Sequence, residues 1–146
     1  MRVALLIVLA SAGCLDSFGP EVGPPLRPAC TGTDSDPGTR VHFEAEIRTA
    51  VIARACARCH TPIGATPIGV QIGGLDLSSA TSLRAGGVES GSDIVIPGDP
   101  CASVLVQKLG AAPPFGARMP LDGPPYLEAR ELRLISDWIA EGAVDE

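Results

Sequence analysis

The chain has 146 residues, a net charge of −6 from 17 acidic and 11 basic side chains, and only 3% aromatic residues. That length suits one small domain plus a targeting segment. Lys108 is the only lysine and no Lys/Arg cluster exists, so the electrostatic footprint of a nucleic-acid binder is missing and nucleic acid is not an expected partner.

Residues 1–13 read as a signal peptide. Arg2 forms a short basic n-region, Val3 to Ala10 an apolar run too short for a normal membrane span, and Ser11-Ala12-Gly13 are small. Cys14 follows directly, which resembles the lipobox of bacterial lipoproteins, although Ser11 stands where that motif usually has an aliphatic residue. Lipidation of Cys14 or plain secretion both place the protein outside the cytoplasm. Acyl chains on Cys14 are the only membrane anchor expected, on the periplasmic side of the inner or the outer membrane. Residues 15–40, rich in Gly, Pro, Asp, Ser and Thr, read with Cys14 as a flexible linker over 14–40. The domain then spans 41–146, and no internal repeat argues for more than one.

From about Val41 to His60 the pattern is helical. Phe43, Ile47, Ala50 and Val51 share one face, and Thr39 is the candidate N-cap. This helix delivers Cys56-Ala57-Arg58-Cys59-His60. Two thiols three positions apart, with a His after the second, are what covalent c-type haem attachment requires. Each sulfur takes one haem vinyl as a thioether, and His60 supplies a neutral imidazole nitrogen as the proximal iron ligand. Three other chemistries use such a pair. A thioredoxin-like motif expects a strand before it, whereas a helix is expected here. Structural zinc wants a second pair, whereas Cys30, Cys101 and His42 are scattered singly. A plain structural disulfide within Cys-x-x-Cys is strained. A thiol redox or metal-binding protein without haem is therefore the alternative class.

Residues 61–77, rich in Gly, Pro and Ile, predict a loop around the cofactor. Ser78 or Ser79 caps a short helix through Arg84, ended by Gly86-Gly87. Ile94-Val95-Ile96 is too short for a sheet and reads as extended loop. Asp99-Pro100 reads as N-cap and first residue of a helix carrying Val104, Leu105 and Leu109, closed by Gly110. Residues 111–126 return to Pro and Gly. The last helix, from about Leu127 to Glu141, puts Leu132, Ile135, Trp138 and Ile139 on one face and stops at Gly142. Trp138 is expected in the core where the first and last helices cross.

A low-spin haem needs a second axial ligand. Once the leader is removed, the only methionine is Met119, in Gly116-Ala117-Arg118-Met119-Pro120. Ligation by its thioether competes with a role as core filler, with His42 as ligand and with an open sixth site. Arg118 is a candidate partner for a haem propionate, or a solvated loop arginine. Cys30 and Cys101 remain over; in an oxidising compartment they pair or stay as separate thiols. A haem would add apolar surface to a core poor in aromatics, on the order of several kcal/mol at about 25 cal/mol per Å² buried. The apo-protein is accordingly expected to be weakly folded.

Taken together these motifs resemble the planctomycete-type cytochrome c domains. The likeness covers about residues 41–144. It rests on Phe-x-x-x-Ile before the haem motif, then Gly74-Leu75-Asp76-Leu77-Ser78, Ala85-Gly86-Gly87, Ile96-Pro97-Gly98-Asp99-Pro100, Arg118-Met119-Pro120 and Asp137-Trp138-Ile139-x-x-Gly142-Ala143. The resemblance implies an all-α, cytochrome c-like fold around one covalent haem c. It also implies that Cys56 and Cys59 attach the haem, with His60 proximal and Met119 distal. Cys101 departs from the family pattern, which with Cys30 suggests an added disulfide. The expected activity is outer-sphere electron transfer to redox protein partners, as a carrier rather than an enzyme. A peroxidase-like haem enzyme, or a haem-bearing subunit of a larger oxidoreductase, is the alternative.

Overall fold

The computed structural model describes residues 30–145. The expected signal peptide, Cys14 and the linker before residue 30 lie outside the described residues. Among the described residues every regular element is helical and no strand forms, so this part of the chain is all-α. None of its helices is long and apolar enough to cross a membrane.

The first element, Phe43–Ile52, is a π-helix rather than the expected α-helix, and the Ala53 N–H closes on the Arg48 carbonyl five residues back. Its burial pattern matches that wider winding. Phe43, Ile47, Val51 and Ile52 are buried, while Ala50, expected on the apolar stripe, is exposed. In an α-helix nine residues make about two and a half turns at 3.6 per turn, so Ile52 would point away from Phe43. With i→i+5 closure each turn takes more residues, nine residues come close to two turns, and Ile52 returns to the core face. His42, not Thr39, precedes the helix, and Thr39 instead closes a turn on the Asp36 carbonyl.

Short α-helices follow: α1 (Ala53–Ala55), α2 (Ala57–His60), α3 (Ile68–Gln71), α4 (Ala80–Ala85), α5 (Val104–Leu109) and the long α6 (Ala129–Ala140). A 3-10 turn, Gly91–Ile94, precedes α5. α3 lies inside the stretch expected to be loop. Ser79 caps α4 as expected, accepting from the Ser82 N–H, and Gly86 ends it. α5 begins later than expected. Asp99 caps only the preceding turn, through Ala102 N–H at 3.0 Å, and Ser103 is the residue before the helix. The fully buried Ser103 hydroxyl donates to the Asp99 carbonyl (2.8 Å) and accepts from the Ile96 N–H (2.8 Å). Its polar group is thus satisfied inside the core. Gly98 N–H donates to the Ile139 carbonyl at 2.7 Å, which fixes this turn against α6.

The π-helix and α6 cross as expected, with the Phe43 and Trp138 rings 5.3 Å apart and tilted. Ile135, Trp138 and Ile139 are buried, and Leu132 lies partly buried at the edge. α6 ends in a Schellman motif. Gly142 N–H reaches the Ile139 carbonyl (3.0 Å) and Ala143 N–H the Trp138 carbonyl (2.8 Å), with Gly142 at φ 101°, a conformation only glycine enters at no steric cost.

Residues 30–40, placed in the flexible linker from sequence, are fastened to this domain. Cys30 and Cys101 form a disulfide, as suggested, with their Cα atoms 5.6 Å apart. The Ser35 N–H and hydroxyl both donate to the Asp137 carboxylate, at 2.8 and 2.6 Å, and the Val41 N–H donates to Glu141.

Candidate functional site

α2 is a single turn built on Cys56, whose carbonyl accepts from the Cys59 N–H (3.1 Å) and the His60 N–H (2.9 Å). That turn sets both thiols and the imidazole along one wall of a cavity of about 500 Å³. Cys56 and Cys59 are unpaired. The chain after His60 folds back over the same turn: Thr66 N–H reaches the Arg58 carbonyl (3.0 Å) and Leu77 N–H the His60 carbonyl (2.7 Å). Met119, 59 residues further along the chain, also lines the cavity. The rest of the wall is mainly aliphatic, including Leu75, Leu77, Ile94, Val104 and Leu105.

The His60 ring is held from two sides. Its Nδ1 lies 3.2 Å from the Leu75 carbonyl. A carbonyl only accepts, so this contact puts the proton on Nδ1 and leaves the Nε2 lone pair available to a metal. Against the ring packs Gly69, in α3, where a Cβ would stand 2.4 Å from His60 Nδ1 and Cε1. Only a residue without a side chain fits there.

Burial raises the Cys56 thiol to about 11; Arg54 opposes the shift, while Glu131 and Cys59 add to it. A thiol-redox motif depends on an accessible, low-pKa thiolate, so this environment speaks against that chemistry. Arg54 and Glu131 are themselves ion-paired, joining the Cys56 side of the site to α6. Among the described residues no three His, Cys, Asp or Glu side chains come together to hold a metal ion, so Cys56 and Cys59 have no partners for a zinc site.

Met119 stands on an irregular segment whose N–H donates to the Lys108 carbonyl at 2.8 Å. Arg118, the candidate propionate partner, does not reach the cavity wall. Its guanidinium lies 3.8 Å over the Tyr126 ring, and its Nε donates to the Leu109 carbonyl at 2.9 Å. The cations on the wall are Arg58 and Lys108, neither singled out for the site from sequence. Arg58 lies 3.7 Å from Asp122, also on the wall, but both side chains are mostly exposed and such a pair contributes little. His42, the alternative axial ligand, does not line the cavity. Leu75, whose carbonyl orients His60, belongs to the Gly-Leu-Asp-Leu-Ser segment, so a signal for it was present in the sequence. Gly69 carried none, because its role depends on the approach of α3 to α2.

The residues on this wall fit a haem. The volume lies in the range of about 300–1,000 Å³ usual for small-molecule and cofactor sites. The lining is mainly apolar, two unpaired thiols adjoin it, and an imidazole and a thioether come to it from separate segments. Comparison of the chain with family models, with curated proteins and with solved structures finds no match, so the functional reading rests on these residues and their arrangement.

Proposed function

We propose that this protein is an exported monohaem c-type cytochrome with a cytochrome c-like fold, carrying electrons between redox protein partners. The observation that carries the reading is the convergence of Cys56, Cys59, His60 and Met119 on one apolar cavity. Haem c, when bound, supplies one-electron iron redox chemistry that no side chain offers. Cys56 and Cys59 would hold it covalently as thioethers. His60 would hold the iron through Nε2, its ring oriented by the contact between Nδ1 and the Leu75 carbonyl. Met119, on the same cavity, would supply a thioether to the iron, a ligand type that raises the potential relative to His. The aliphatic part of the wall would pack apolar side chains against the haem. Lipidation of Cys14 would hold the domain at a membrane surface on the periplasmic side. The net charge of −6 favours encounter with a basic partner.

The test is expression with a c-type maturation system, then a haem stain on a denaturing gel beside a pyridine haemochrome spectrum. Haem that stays with the polypeptide, with a thioether-type spectrum, is expected. Cys56→Ser with Cys59→Ser is expected to abolish it. A colourless wild-type protein, from a host that matures a control cytochrome, overturns the reading.

A further inference from the structure

The chain's single lysine sits at the point where the Met119 segment needs a scaffold. Between Gly110 and Met119 there is no helix or strand, and residues 110–117 are Gly, Ala, Pro and Phe only, with no polar side chain to tie the loop down. Backbone carbonyls in such a loop need donors from elsewhere. Lys108, in the last turn of α5, provides them. Its Nζ donates to the Phe115 carbonyl (2.7 Å) and to the Ala117 carbonyl (2.5 Å) and lies 4.8 Å from the Phe115 ring centroid. Its own carbonyl receives the Met119 N–H at 2.8 Å. One residue thus grips the loop on both sides of Gly116 and at Met119 itself. An ammonium has three donors and no acceptor, which suits it to binding several carbonyls at once. Burial alone pushes the Lys108 ammonium below its ordinary range, so its role rests on these contacts.

We propose that Lys108 is the positioning residue for Met119: it acts on the axial position through the loop, without being a ligand itself. The inference rests on the reading of Met119 as distal ligand. Hydrogen bonds from a charged donor are among the stronger ones, so losing two of them loosens the loop measurably. A looser loop presents Met119 less often, and an added ligand then competes with it more successfully.

The test is an imidazole titration of the ferric, haem-loaded full chain, followed by absorption. It compares wild type, Lys108→Met and Lys108→Gln, each with Met119 intact and in a Met119→Ala background. Lys108→Met keeps the apolar stem and removes the donors. It is expected to tighten apparent imidazole binding about tenfold, equivalent to 1.4 kcal/mol. Lys108→Gln, which keeps an amide donor at shorter reach, is expected to fall between Lys108→Met and wild type. It decides the question alone if Lys108→Met yields no loaded protein. In the Met119→Ala background both substitutions are expected to change the affinity by less than about twofold, since the coupled partner is gone. Unchanged imidazole affinity with Met119 present overturns the proposal, as does an equal tightening without it. If Met119→Ala by itself leaves imidazole binding as in wild type, the distal-ligand reading fails, a result separable from failure of the Lys108 role alone.

Discussion

The two sides of the domain are held by different forces. Where the π-helix crosses α6, side chain meets side chain: Phe43, Trp138 and Ile139 are fully buried and aromatic packs on aromatic. On the cavity side the chain is mostly loop. Its ties are backbone hydrogen bonds and cations on carbonyls, and large apolar residues stand in the open, Ile72 at 78% and Leu121 at 59% exposure. The first side is complete within the chain itself. The second has apolar walls that face a cavity, and on the proposed reading the haem supplies the surface they lack. On that reading a chain with 3% aromatics has one edge packed by its own side chains and one that a cofactor would complete.

The largest test of this contrast is Trp138→Ala. Truncating a fully buried Trp is expected to cost about 3–5 kcal/mol in urea denaturation, in apo and haem-loaded protein alike. A small loss in the apo-protein would mean that the crossing is not its foundation. The disulfide comes next. It closes a sequence separation of 71 residues and ties residue 30 to the turn before α5. Cys30→Ser with Cys101→Ser is expected to cost about 2–4 kcal/mol, chiefly by freeing the unfolded chain. Both sides should weaken together if they unfold as one unit. Trp138 fluorescence and proteolysis of residues 110–118 report on each, and separate transitions would divide the domain into two.

Cys56 gives a pH test of the cavity side. Its folded thiol lies near 11 against 9.0 for the free group, so the native state binds the proton more tightly. A raised folded value leaves stability intact below the unfolded pKa and removes it as pH climbs through the folded one. The apo-protein is therefore expected to lose about 2–3 kcal/mol between pH 9 and 11 from this thiol. Cys56→Ala removes that part of the loss, and so does haem attachment, because a thioether does not titrate. An identical alkaline profile in the apo wild type and Cys56→Ala would show that the thiol is not buried as described.

What could be read from sequence follows the same division. The packed side obeys local rules. The α6 stripe, the Gly142 stop, the Ser79 cap and the Gly110 end were all visible as caps and periodicity. The π-winding was not, because Phe43, Ile47 and Val51 suit either helix and only the exchange of Ala50 for Ile52 in the core tells them apart. The α5 start was missed because Asp99 caps a turn that does not continue, while the helix begins after Ser103. On the cavity side the individual chemistry of Cys56, Cys59, His60 and Met119 stood out, yet their common wall depends on tertiary closure. Arg118 stacks on Tyr126 outside the cavity lining, whereas Lys108 and Arg58, which no motif singled out, line it. Residues 30–40 read as linker by composition, since a disulfide and the Ser35–Asp137 bonds leave no periodic trace.

Gly69→Ala is the finest probe of the cavity side. A methyl at this position meets both the His60 ring, at 2.4 Å, and the Cys59 carbonyl, at 2.8 Å. Backbone cannot yield as a flexible side chain does, so the ring must move, and the Leu75 carbonyl contact at 3.2 Å is what it would leave. Overpacking of this kind costs about 1–3 kcal/mol, expected here at the low end because the loops around α3 are less constrained than a packed core. The sharper readout is the ring itself. Loss of the Nδ1 hydrogen bond in ¹⁵N-histidine spectra, with the Trp138 environment unchanged, would place the strain on the cavity side alone. An Ala variant that keeps the Nδ1 bond and full stability would show that α3 can shift away from α2. The orientation of His60 would then depend on the Leu75 carbonyl and not on a rigid glycine contact.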